Sequence, residues 1–198
     1  MVPARSSFKG GNDDLSSAIL TRVIRREPEA LELFFDHFYD RIYAHVVNLL
    51  RDRTQAEDMT QEVFIRLHKV IDRMDPAREP AGWVFTIATN VVRDYWRSAD
   101  HKKKTAEQGD PHEMALAHPD ADVHSAMEKD EELQAVWTAL HRLSQDDREI
   151  ILLKDYEELS TADIGAMLDV KPDAVRQRHS RAVARLGKAY HKAQEMGA

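Results

Sequence analysis

Between Lys171 and Lys192 the chain carries Lys171, Arg176, Arg178, Arg181, Arg185, Lys188 and Lys192 against one acid, Asp173. The preceding stretch, 146–169, has the opposite balance, with Asp146, Asp147, Glu149, Asp155, Glu157, Glu158, Asp163 and Asp169 against Arg148 and Lys154. So abrupt a reversal within a chain of net charge −7 marks a segment built to meet an anionic surface. Val175, His179, Ala182, Val183 and Leu186 recur at helical spacing and form its expected buried stripe, with His179 in the core or at its edge. The opposite face then presents Asp173, Gln177, Ser180 and Arg181, bordered by Arg176, Arg178 and Arg185. Side chains able to pair with base edges lie centrally, and arginines able to hold phosphates flank them. This is what a helix in a DNA major groove requires. A second constellation, Asp58, Gln61, Glu62 and Ile65, recurs at intervals of three and four and shares one side of a helix. Spacing alone is not specific here, and a generic solvated acidic face describes it adequately.

Composition narrows the setting. The 198 residues suffice for one ordinary domain or two small ones joined by a linker. Charged residues at 32% with aromatics at only 7% point to a helix-rich protein with modest cores. The absence of cysteine excludes disulfides, thiolate nucleophiles and cysteine-ligated zinc. Apolar runs such as Ile150 to Leu153 fall far short of the roughly 20 residues needed to span a bilayer, so no membrane insertion is expected. The start, Met1 to Arg5, lacks the apolar stretch of a secretory signal, and the expected location is cytoplasmic. An enzyme on a helical scaffold finds little support: GxxxxGK[ST], HExxH, GxSxG and the Rossmann glycine pattern are all missing. No catalytic residue and no cofactor is expected. Four histidines, His101, His112, His118 and His124, fall close together, but their spacing matches no usual ligand pattern and no metal is assigned to them.

The elements that must carry these faces follow from the 3.6-residue period. A first helix spans about Leu15 to Arg26, and Glu27-Pro28 ends it and starts a second, whose stripe is Leu31, Phe34, Phe35, Phe38, Ile42, Val46 and Leu49. Asp52 to Thr54 reads as a cap for a helix over Ala56 to Ile71, with Met59, Val63, Phe64, Leu67 and Val70 toward the core. After a polar turn holding Pro76 and Pro80 the period returns through Trp83, Ile87, Ala88, Val91 and Tyr95. The pattern then vanishes, and 99–128 reads as a flexible linker between a helical domain at 15–98 and a second at 129–192. The second begins with Leu133, Val136, Trp137, Leu140 and Leu143, followed by Ser144 as N-cap of a helix over Asp146 to Tyr156. Ser160-Thr161-Ala162-Asp163 has capping-box spacing with Asp in place of Glu, and Ile164, Met167 and Leu168 follow as apolar positions. Only Asp169 to Lys171 separates that short helix from one with Pro172 in its first turn, the arrangement of a helix-turn-helix. The expected fold is therefore all-α, two small helical domains on a flexible linker.

The runs AEDMTQEVFIRLH, PAGWVFTIATNVVRDYWR and STADIGAMLDVKPDAVRQRHSRAVARL, in that order, resemble the extracytoplasmic function (ECF, group 4) sigma factors of the sigma-70 family. The likeness covers about Leu31 to Lys104 and Leu133 to Leu186, the first similar to sigma region 2 and the second to sigma region 4. It implies a promoter-specificity subunit. Asp58, Gln61, Glu62 and Ile65 would dock on the clamp helices of the largest polymerase subunit. Asn90, Arg93, Tyr95, Trp96, Arg97 and Lys102 would engage the minus-10 element, aromatic faces taking unstacked bases and cations taking phosphates. The loop Asp75 to Pro80 would help hold a flipped base, and core packing competes with stacking for Trp83 and Tyr95. Lys171, Arg176, Gln177, Arg178, Ser180, Arg181 and Arg185 would read the minus-35 duplex. An apolar surface of the second domain would meet the flap tip of the β subunit, and an anti-sigma factor is the implied regulator. Two departures stand out: Asp169 replaces the usual turn glycine, and Gln55 stands where an acid is frequent. The rival reading, a stand-alone helix-turn-helix regulator, accounts for the basic helix but gives no reason for the acidic face or for the Tyr95 to Lys104 stretch.

Overall fold

A computed structural model describes residues 15–106 and 131–197, all helix and connecting turn among the described residues. They form two compact units, one centred on 20–76 and 83–106, the other on 131–197. Residues 107–128 of the expected linker, with histidines 112, 118 and 124, lie outside the described residues.

In the first unit α1 (Ser17–Ile24) leads into α2 (Pro28–Leu50), which opens with Pro28, a residue whose missing N–H costs nothing at a helix start. Arg22 braces this junction, its Nε donating to Glu27 Oε2 at 2.6 Å. Helix α2 ends where Arg51 adopts a left-handed conformation (φ 63°) and its N–H reaches back to Val47. The cap expected within Asp52 to Thr54 is Asp52, whose carboxylate accepts from the Gln55 N–H at 3.0 Å; α3 accordingly begins at Arg53 and runs to Val70. A 3-10 turn (Ile71–Arg73) follows, then α4 (Pro80–Ala106). Phe34, Phe38, Ile42, Leu49, Leu67, Ile71 and Phe85 are fully buried between these helices, with the Phe34 and Phe38 rings 5.0 Å apart. His45 is buried among them at 0% exposure, against the Phe85 ring at 5.2 Å.

Helix α4 departs from the expected layout by continuing past Ser98 to Ala106. Apolar periodicity stops near Trp96. Helicity does not stop with it, since 83–108 contains neither glycine nor proline and is rich in good helix formers.

The second unit is assembled on α6. Helix α5 (Glu131–His141) is joined by a tight turn to α6 (Gln145–Ile151), whose N-cap Ser144 accepts from the Asp147 N–H. Four successive apolar residues, Ile150 to Leu153, are all 2% exposed or less. Four neighbours cover most of a helix circumference, so the chain at 150–153 is enclosed on every side. The sequence predicts one helix to Tyr156, whereas Leu152–Tyr156 widens into a π turn, with the Glu157 N–H bonded to Leu152 O at 2.9 Å. Arg148, which the sequence offers only as one of two cations in the acidic stretch 146–169, is 4% exposed and closes the end of α5, donating to the carbonyls of Leu140, His141 and Leu143 at 3.1–3.3 Å. The Leu140 and His141 carbonyls belong to the last turn of α5, which lacks i+4 partners within the helix, and a guanidinium at a helix C-terminus also meets the favourable end of its dipole.

Helix α7 (Thr161–Leu168) is capped by Ser160, which accepts from the Asp163 N–H at 3.0 Å while its hydroxyl donates to the Asp163 carboxylate. The helix ends at Asp169 in the left-handed region (φ 53°, ψ 47°), which a short polar side chain tolerates, so the missing turn glycine leaves the turn intact. A different glycine is required there. A Cβ on Gly165 would sit 2.7 Å from Val170 O, the chain's point of closest return before α8 (Pro172–Gly197) begins.

Candidate DNA and polymerase interfaces

On α8, Val175 and Ala182 face the core as the stripe predicts, and His179 and Leu186 lie half-buried at its edge. Val183 does not belong to the stripe. It is 42% exposed, because α8 meets α5, α6 and α7 along a narrow seam that one more residue of helical rotation leaves behind. His179 is held by Asp155 of the π turn, Nε2 to Oδ2 at 2.7 Å, a pairing that fixes the rotation of α8 about its axis. The outward side presents Lys171, Arg176, Gln177, Arg178, Ser180 and Arg181, all exposed, together with Asp173. Arg176 is paired with Asp173 one turn earlier. Arg185 is exposed but tethered, its Nη1 bonded to both oxygens of Asp147 at 2.8 and 2.6 Å, so part of its charge is committed to joining α8 to α6.

In the first unit, Glu57, Asp58, Gln61 and Ile65 are exposed on α3, Ile65 at 48%, and Glu62 is half-exposed. The acidic side is thus at the surface, and Val63 and Leu67 take the core positions. Beside it runs an aromatic strip that the sequence pattern assigned to the interior or left unassigned: Tyr39, 52% exposed, stacks on Phe64 at 5.7 Å, and Phe64 meets Phe35 edge-on at 5.4 Å. Phe35 and Phe64 are half-buried and not core residues.

On α4, Asn90 and Arg97 are exposed, whereas Arg93, Tyr95 and Trp96 are half-buried, as is Trp83. Lys102 falls on the last turns of α4. The loop before α4 keeps Asp75, Ala77, Arg78 and Glu79 at the surface, and Met74 at its start is buried.

Joining the α3 and α4 faces is a side chain the sequence reading did not single out. Arg66 donates from Nε to Glu62 Oε1 at 2.7 Å and from Nη1 to Asp94 Oδ2 at 2.8 Å, and the second Asp94 oxygen accepts from Arg97 Nη2 at 2.7 Å. The Asp94 and Glu62 hydrogen bonds hold the Arg66 proton more firmly than usual. Only the spacing of Glu62 and Arg66, four apart on one helix, hints at this in the sequence; the Asp94 partner is 28 residues away.

Among the described residues no helix is long and apolar enough to cross a membrane. Residues 34–102 match the family model for sigma-70 region 2, and residues 133–186 match that for sigma-70 region 4. The chain is 30% identical to the RNA polymerase sigma factor CarQ of Myxococcus xanthus, over 80% of this chain and 87% of that protein. It is 28% identical to the ECF RNA polymerase sigma factor SigK of Mycobacterium ulcerans, over 85% and 89%. Two solved structures share the fold: CnrH in complex with the cytosolic domain of CnrY (TM-score 0.64, 20% identity, 88% of this chain and 96% of that one), and the Bartonella quintana sigma factor RpoE in complex with the anti-sigma factor NepR (TM-score 0.66, 22% identity, 81% and 96%). With both sigma regions present in order, and with a relative at this identity matched over nearly its whole length, the chain belongs to the ECF group of the sigma-70 family of RNA polymerase sigma factors.

Proposed function

We propose that this sigma factor binds core RNA polymerase through the α3 face and directs it to promoters, α8 reading the minus-35 duplex and α4 engaging the minus-10 element as its strands separate. The observation that carries the reading is the coexistence of three exposed faces of different chemistry on two units: an acidic one with Asp58, Gln61 and Glu62, a mixed aromatic and cationic one with Trp96 and Arg97, and a basic one with Arg178 and Arg181. Carboxylates set orientation and association rate against a basic partner such as the clamp helices. Arginines flanking Gln177 and Ser180 supply phosphate contacts, with the two polar residues placed toward base edges. Half-buried Tyr95 and Trp96 are rooted in α4 while leaving ring surface for an unpaired base, and such stacking is worth roughly 1–3 kcal/mol per base.

No bond is made or broken by the chain in this reading. Capture of unstacked bases favours the open form of the DNA, and the polymerase supplies the chemistry. An apolar surface of the second unit, which includes half-buried Val136, Tyr156 and Leu186, would meet the flap tip of the β subunit. The regulator consistent with this role is an anti-sigma factor covering the same faces, and the site of action is the cytoplasm, where the template is. The test is reconstitution. The purified chain should comigrate with core polymerase and direct initiation from a subset of promoters of its own genome. If it binds DNA and never joins polymerase, the chain acts as an isolated regulator and the proposal fails.

A further inference from the structure

Two of the faces described above are wired together, and the connection has a definite sign. Glu62 belongs to the docking side of α3 and Arg97 to the DNA side of α4, and between them stand Arg66 and Asp94 in an alternating series of charges. Each member is shared. Arg66 divides its donors between two carboxylates, and Asp94 gives one oxygen to Arg66 and the other to Arg97. Arg97, with 76% of its side chain exposed, is the outermost member, and a phosphate must draw it away from Asp94.

We infer that Arg66 is a positioning residue that links polymerase docking to promoter engagement: by bridging Glu62 and Asp94 it sets how firmly Asp94 retains Arg97. The inference rests on the assignment of α3 to polymerase and α4 to DNA. When a cation of the docked partner takes Glu62, Arg66 loses one acceptor and turns more fully onto Asp94. The carboxylate then has less to offer Arg97, which is released toward the DNA backbone. Linkage requires the reverse with equal strength: a phosphate that captures Arg97 leaves Asp94 to Arg66 and frees Glu62 for the partner. In the free chain the same series keeps Arg97 occupied, which lowers unproductive binding to single strands. Without Arg66 the series breaks into two halves. Glu62 becomes permanently available, and Asp94 closes both oxygens on Arg97.

The experiment measures two affinities with a fluorescent single-stranded DNA of mixed sequence, a suitable probe because a phosphate contact does not depend on base identity. In the wild-type chain this DNA should strengthen binding to core polymerase. In Arg66→Gln about fivefold of that enhancement should disappear, the low end of ordinary coupling, while affinity for core polymerase without DNA is no weaker than before. A merely structural role would reduce both affinities together. Asp94→Asn provides the second arm and predicts a gain. With Arg97 released, the free chain should bind the DNA more tightly, and the slope of log affinity against log salt should steepen by about 0.7, one added phosphate contact. Glu32→Gln, which changes net charge equally at an exposed site on α2, should leave that slope alone. An undiminished enhancement in Arg66→Gln, or weakened DNA binding in Asp94→Asn, overturns the inference and leaves the sigma assignment standing. A wild-type chain that does not bind core polymerase at all overturns both.

Discussion

His45 makes the first unit acid-sensitive, by an amount that can be worked out in advance. The imidazole lies at 0% exposure on α2, neither ring nitrogen has a hydrogen-bond partner, and burial pushes its pKa down from 6.5 to about 3. Above pH 6.5 the ring is neutral in folded and unfolded chains alike and contributes no pH dependence. As pH falls below 6.5 the unfolded chain takes up a proton that the folded chain refuses, so stability is lost with acid until the folded pKa is reached. One pKa unit corresponds to about 1.4 kcal/mol. Between about pH 7 and about pH 5 the loss is therefore about 2 kcal/mol, a large fraction of the 5–15 kcal/mol typical of a domain. The assay is urea unfolding of the full chain followed by tryptophan fluorescence in a Trp137→Phe background. The remaining Trp83 and Trp96 both stand on α4, so the signal reports the first unit. His45→Leu serves as the reference, because ordinary carboxylate titration is common to both chains and cancels in the comparison. Wild type should lose about 2 kcal/mol more than His45→Leu over that interval. Parallel pH profiles would refute the reasoning, by showing that the ring either finds a partner or reaches water.

The two units should fail separately. Arg178→Ala should weaken duplex binding across sequences and lower the salt slope by about 0.9, with polymerase binding intact, and Glu62→Ala should do the reverse, both read by mobility shift. Gly165→Ala should destabilise the second unit by about 1–3 kcal/mol in chemical unfolding, since the added methyl meets Val170 O at 2.7 Å and the tight return before α8 has to open. If Gly165→Ala proves neutral, the turn is not as closely packed as it stands.

Much of the architecture was legible because it rests on local rules. The stripe Phe34, Phe38, Ile42, Val46, Leu49 required an amphipathic helix, and those five are buried. Pro28, Ser144 and Ser160 marked helix starts at the places where the helices begin. Two of the errors share one cause, which is that periodicity reports burial and nothing else. It ended α4 too early, because helicity itself requires no apolar stripe. It placed Val183, Phe35 and Phe64 further inside than they are, because it cannot say how wide the facing surface is.

By itself, the sequence determined the all-α class and which side of each functional helix is polar, since helix propensity, caps and the 3.6-residue repeat act over a few neighbours. Beyond local pairs such as Arg176 with Asp173, which charges are available on those sides was decided by tertiary packing. Arg148 is withdrawn to close α5, Arg185 is tied to Asp147, His179 to Asp155, and Arg66 is strung between Glu62 and Asp94. Ionic pairing depends on separations of a few ångströms between residues far apart in the chain, and only the folded arrangement of helices sets those.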